Sequence, residues 1–334
     1  MTQPDWASAL PQVWRAPLLA LIAACVALGA VTANEWGEML HQWWNIDTYN
    51  HILLVPVIVV WLVWLKTEDL KGLTPQGWHW GLALVAAGLG LWLMGRITGI
   101  NLIAQAGAVG AMQGAIVSIL GVRASAFIAL PLAYLAFLVP FGDEMIPFLQ
   151  AITAKIAIAI TQWSGIPAVI DGIYIDTPAG LFIVAEECSG VKFLIAMVTL
   201  AVLVGFTRFK SWSRRAMFMA AAIIVPILAN GVRAWGTIYI AQFAGVEFAA
   251  GFDHIFYGWI FFAIVVAIIL AGAWRFFEMD PEDYGHSAED LSQMKWVAAV
   301  EGQGSTLQLV LAGIMALALI AGVLSLILAP VAAA

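Results

Sequence analysis

The sequence predicts an all-α, multi-pass membrane protein of about nine transmembrane helices, with a small β-hairpin and one interfacial amphipathic helix. Three observations predict it. Hydrophobic residues make up 63% of the 334-residue chain and charged residues only 10%, with a mean hydropathy of +0.95. That balance excludes a water-soluble globular domain. Apolar runs long enough to cross a bilayer recur along the chain, and Lys and Arg collect on alternate connections between them.

The runs follow in order. Arg15 stands at the edge of the first, 16–33, which reads as an uncleaved anchor rather than a signal peptide. A Trp-rich segment comes next, with Trp43, Trp44 and Tyr49 suited to a membrane interface. Further runs occupy 52–65, 80–95, 100–120 and 124–140. The texture changes after Pro140. Residues 145–165 have the pattern of an amphipathic helix lying at the interface, and 168–186 alternate apolar and polar around Pro178-Ala179-Gly180, as a β-hairpin does. Apolar runs return at 190–207, 216–240 and 254–274, followed by an acidic loop and a last run at 307–329. The expected division is a membrane catalytic domain over 1–275, an acidic cytoplasmic loop over 276–306 and a C-terminal transmembrane helix over 307–334.

Orientation follows from the basic residues. Arg208, Lys210, Arg214 and Arg215 form the densest cluster, so their loop is expected in the cytoplasm. Alternation then puts Arg15, Lys66, Lys71, Arg123, Arg275 and Lys295 on the same side, with the N-terminus inside. It also brings Cys188, Arg233 and His254 to one depth, at the outer ends of three consecutive spans.

The chemistry centres on Glu186-Glu187-Cys188-Ser189-Gly190, where a strand-like segment gives way to a long apolar helix. A cysteine at a helix N-terminus feels the positive end of the helix dipole, which favours the nucleophilic thiolate. Arg233, set among apolar residues, is a fixed cation suited to a thiolate or an oxyanion. His254, beside Asp253, has the chemistry of a general acid–base, and Asn230, one turn before Arg233, can orient it or the substrate backbone. His51, after Tyr49 and Asn50, is a candidate for the same mouth. The bland readings are a structural buried thiol, a snorkelling Arg and an interfacial His.

Other classes find little support. No basic stripe suits nucleic acid, no Cys/His spacing suits zinc, and no HExxH or GxSxG motif occurs, so neither a metal nor a cofactor is expected. Cys25 lies within the first run and Cys188 at a rim, so a disulfide between them is not expected.

These residues carry a resemblance. The E-x-C-S-G opening of one helix, the N-x-x-R of the next and the His opening the third are similar to the exosortases, a family of integral-membrane cysteine transpeptidases or proteases. The similarity extends to Tyr49-Asn50-His51, to the Pro140 region and to the G-I-Y-I…V-A-E-E-C order, over roughly residues 40–275. Type A members, linked to exopolysaccharide loci in Gram-negative bacteria, are the most similar through H-I-F-Y-G-W. The resemblance implies Cys188, Arg233 and His254 as the catalytic trio, with Glu187, Ser189, Asn230, Asp253, Tyr49 and His51 in support. It implies as partners the lipid bilayer and membrane-anchored proteins ending in a PEP-CTERM sorting signal: a Pro-Glu-Pro-like motif, an apolar span and a basic tail. It places the site on the periplasmic face of the inner membrane. Two departures stand out. Asn50 and Ile52 flank His51 where the family usually has Ser and Gly, and type A members often carry a further soluble C-terminal domain, here absent, separate or cut off. A polysaccharide transporter or export component is the alternative. It is expected to show ionisable residues at several depths, whereas here they gather at one rim.

Overall fold

The computed structural model describes residues 11–252 and 258–332. In chain order the helices are α1 (Gln12–Val31), α2 (Ala33–Asn45), α3 (Val55–Leu65), α4 (Thr67–Lys71), α5 (Leu82–Thr98), α6 (Asn101–Phe127), α7 (Ala129–Tyr134) and α8 (Ile146–Trp163). Strands β1 (Val169–Asp171), β2 (Tyr174–Thr177) and β3 (Gly180–Ile183) follow. The rest are α9 (Val191–Arg208), α10 (Trp212–Ala244), α11 (Val246–Phe252), α12 (Gly258–Trp274), α13 (Ala288–Gln293), α14 (Lys295–Glu301) and α15 (Leu307–Ala332). Seven helices among the described residues are long and apolar enough to cross a membrane; the pair Ala33–Asn45 and Asn50–Leu65, bent by 107°, is a broken span or a re-entrant loop, and counts as an eighth in the first case. The expected count of nine is thus approximate. Helix α12 is apolar but shorter, and the run expected as a span over 124–140 instead ends α6 and continues as the short α7 and a 3-10 turn.

Chain contacts divide the molecule into two compact units: residues 1–140 with 285–334, and residues 141–284. The first is built on an α5–α6 hairpin. Gly99 closes α5 in the left-handed conformation, φ +71°, and the chain reverses into α6. The two helices then touch backbone to backbone. A methyl group on Gly95 would strike Ala104, one on Gly107 would strike Trp92, and one on Gly88 would strike Ala111. A methyl on Gly114 would come within 2.7 Å of Val85 N, and one on Gly81 within 2.8 Å of Ser118 Cα. Gly81 at the entry to α5, then Gly88 and Gly95, and on the other helix Gly107 and Gly114, are spaced seven residues apart. That is the period of a continuous seam between paired helices. Lipid gives apolar side chains no reason to desert it, so close backbone packing of small residues supplies the association. Around this hairpin, α1 and α15 complete a core of Trp14, Leu28, Trp92, Ile119, Phe127, Val310 and Ile314.

The second unit holds the antiparallel sheet β1-β2-β3 and helices α8 to α12. The expected hairpin is one strand short of what forms. Besides the turn at Pro178-Ala179, a two-residue turn at Gly172-Ile173 pairs Asp171 with Tyr174. Gly172 supplies the positive φ, +61°, that such a turn demands. Ile175 and Val184 pack inward with Ala154 and Ala157 of α8 and Ile238 of α10. A second core joins α9, α10 and α12 through Met197, Ala201, Phe218, Ala222, Val265 and Ile269. The helix expected at the interface over 145–165 forms as α8. With its leading turn, Asp143–Trp163, it has the length and composition to cross a membrane, and Gly231 of α10 lets Ile156 of α8 approach closely.

A candidate cysteine-centred active site

The turn that carries the thiol is built by three departures from regular structure. After β3 the chain runs extended through Ala185 and tightens into a 3-10 turn, Glu186–Cys188, rather than continuing as a strand. Cys188 N donates to Ala185 O and Ser189 N to Glu186 O, both at 3.0 Å. Gly190 then adopts φ +82°, and only from Val191 is the chain α-helical. This corrects the expectation of a cysteine at the first position of a helix. Cys188 precedes the first α-helical residue by three, within the 3-10 turn that leads into α9. Any residue but Gly at position 190 would be strained and would press on Asn230, whose Cγ lies 2.8 Å from where a Cβ would sit.

Asn230 is the reason for that tight fit. Its side chain, 4% exposed on α10, donates from Nδ2 to the Cys188 carbonyl at 2.8 Å and to Thr153 Oγ1 on α8 at 3.0 Å. Both amide hydrogens are used. Thr153 Oγ1 stands 3.5 Å from Ser189 O, and Ser189, 2% exposed, accepts the Val191 N–H on its own hydroxyl at 3.3 Å. Gln150, one turn before Thr153, donates to Val184 O at 2.8 Å. Two polar side chains of α8 and one of α10 thus fix the backbone on both sides of the cysteine. Removing such a buried donor leaves a carbonyl unsatisfied, at about 1–3 kcal/mol each.

Arg233 follows Asn230 by one turn and is 8% exposed. Its guanidinium carbon sits 6.0 Å from the centre of the Phe193 ring, at the outer limit of a cation–π contact. Cys188, Asn230 and Arg233 line one cavity of about 60 Å³, walled by Ile175, Phe182, Ile183, Val184, Ala234, Thr237 and Ile238. A half-buried thiol, an amide and a fixed cation around a small, mostly apolar space can hold and polarise one carbonyl group.

The other expected residues distribute differently. Glu187, like Glu186, is exposed, and Ser189 acts through its hydrogen bonds in the turn. Tyr49, buried, and His51, whose Nδ1 is 3.0 Å from Thr48 O, belong to the first unit, on the approach to α3. His254 and Asp253 lie outside the described residues. Gln150 and Thr153 went unnoticed in the sequence. Their signal was there, as two polar residues three apart, and therefore on one face, in a mostly apolar helix.

The other end of the second unit shows what a solvated charge cluster looks like. Glu278 accepts the Lys210 N–H at 2.6 Å and the Ser211 N–H at 2.9 Å, and pairs with Arg214 at 3.0 Å. It ties down the two residues that lead into α10. The Ser211 amide first, then the Lys210 amide and the neighbouring cations, hold its carboxyl below the usual carboxylate range.

The family described as transmembrane exosortase (Exosortase_EpsH) matches residues 43–271, more than half of the chain and inclusive of every element just described around Cys188. No curated protein and no solved structure matches.

Proposed function

Because the chain belongs to the transmembrane exosortase family, we propose that it is a membrane-embedded cysteine protease or transpeptidase, with Cys188 as nucleophile. The observation that carries the reading is the single cavity shared by Cys188, Asn230 and Arg233. In the reaction, Cys188 Sγ attacks the scissile carbonyl and gives up its proton to His254. Arg233 stabilises the negative charge on the carbonyl oxygen, and Asn230 keeps the nucleophile's own backbone fixed. The C–N bond breaks as the amine takes the proton, leaving an acyl-thioester. An incoming amine or water then releases the acyl group and restores the thiol.

The substrates in this reading are exported proteins with a C-terminal PEP-CTERM-type sorting signal, cleaved at the periplasmic face of the inner membrane in the course of exopolysaccharide or biofilm-matrix assembly. A substrate that carries its own membrane span accounts for a protease this apolar. Intact-mass analysis of a tagged substrate, co-expressed with the wild type or with Cys188→Ala, tests it. The wild type should yield a product shortened at the signal and the variant only the full-length protein. A shortened product from both would remove Cys188 from the chemistry. The orientation has its own check: a reporter fused after Arg215 should report cytoplasm and one within 168–186 periplasm.

A further inference from the structure

Strand β3 has one side bonded and one side open. Val184 N donates to Ile173 O, so 184 and 173 form a hydrogen-bonded pair of the antiparallel ladder. Such pairs alternate along a ladder, and the register sets Ile183 opposite Tyr174 and Leu181 opposite Asp176. The main-chain N–H and C=O of Val184, Phe182 and Gly180 therefore face β2, while those of Leu181 and Ile183 face away from the sheet. Neither Leu181 nor Ile183 has a main-chain hydrogen-bond partner among the described residues outside that ladder. The two residues are 65% and 51% exposed. Short edge strands are usually covered or blunted by charge; this one ends five residues from the proposed nucleophile. Ile183, Phe182 and Cys188 line the same cavity, so the open edge and the thiol are parts of one surface.

We infer that the β3 edge is the substrate-binding element: the exported polypeptide adds to it as a fourth, extended strand and so delivers its scissile carbonyl to Cys188. The inference deepens the peptidase reading and rests on it. Main-chain bonds to Leu181 and Ile183 supply sequence-tolerant affinity, and alternate residues of the added strand share the Phe182 face toward the cavity. An extended backbone is also the form in which a peptide bond is open to a nucleophile. A folded domain has its own backbone bonded and does not fit this edge; a flexible segment beside a membrane anchor does.

The test reads binding rather than cleavage, so it stands apart from the role of the thiol. Full-length protein carrying Cys188→Ala is placed in lipid nanodiscs with a fluorescent synthetic peptide bearing a Pro-Glu-Pro-type motif and an apolar tail. Proline removes one N–H and is tolerated where that N–H points off the sheet. Leu181→Pro and Ile183→Pro should each weaken binding several-fold, up to about tenfold, the loss of one hydrogen bond. Ile170→Pro, at the outward position of the opposite edge strand, should leave it within about twofold. In the unaltered sheet, N-methylation of successive non-proline peptide residues should weaken binding with a period of two. Equal binding by all three proline variants, or no period in the methylation series, overturns the inference and leaves the peptidase reading intact. No binding by the Cys188→Ala parent overturns both.

Discussion

The two units solve the same problem, holding helices together in a chain with few charges, by opposite means. In the first, the α5–α6 hairpin subtracts side chains until backbones meet, with a glycine on one side of each contact of the seam. In the second, helices α8 and α10 and the turn before α9 are tied by inward-facing amides and hydroxyls: Gln150, Thr153, Ser189 and Asn230. A glycine seam is tight but chemically inert. Polar ties hold less area, yet each can fix the position of one atom. A reaction needs the second kind, and the thiol and the buried cation are found with it.

Substitutions that affect one unit and spare the other would sharpen this contrast. The largest effect is expected from Cys188→Ala, which should lower cleavage of a co-expressed tagged substrate by about 10³-fold or more, while Cys25→Ala, within α1, leaves it unchanged. Arg233→Lys keeps the charge but loses the planar fork, so the rate per folded molecule should fall by about 10²–10³-fold at similar expression. An unchanged rate would reduce Arg233 to a packing residue. Gly107→Val should do the reverse. With the seam forced apart against Trp92, thermal unfolding in detergent should show a loss of about 1–3 kcal/mol, with turnover per folded molecule retained. Thr153→Val keeps shape and deletes one hydroxyl from the knot; about a tenfold loss in kcat with KM unchanged is expected.

The smallest effect concerns Glu278. Its carboxyl is held below the usual carboxylate range in the folded protein, so its stabilising contribution is complete above the unfolded value of about 4.3 and fades as the pH falls through the lower, folded value. Glu278→Gln should therefore lower the Tm at pH 7, and the difference should shrink as the pH falls below about 4. A constant difference between the two proteins across that range would mean the carboxylate's charge plays no part in holding the segment before α10.

Composition made the membrane character legible, because apolar runs of that length have few other physical outcomes. Cys188, Arg233 and His254 could be grouped because alternating spans return helix ends to one side; the structure brings Cys188 and Arg233 to one cavity together with Asn230, and His254 lies outside the described residues. Less legible was whatever depends on a single residue's conformation. Gly190 ends the turn and displaces Cys188 from the helix start, although E-E-C-S-G reads as a helix opening. Gly172 creates a third strand where alternation alone suggested two. The acidic loop read as a cytoplasmic loop, since nothing in its composition marks Glu278 as the partner of the Lys210 and Ser211 amides. The seven-residue glycine seam was on the page but is quiet in hydropathy, where glycine counts for nearly nothing.

That seam also bears on how the protein is made. Contacts along the α5–α6 hairpin join residues only about 10 to 40 apart in sequence, and each step forward on α5 is answered by a step back on α6. Two helices so matched can pair as soon as the second leaves the ribosome, before most of the chain exists. They can then enter the bilayer laterally as one preassembled wedge. A residue inserted into α5 beyond Gly88 would set the glycines on either side of it out of step with their counterparts, and the fault would appear during biogenesis, as nascent chains delayed at the insertion machinery and cleared by quality control.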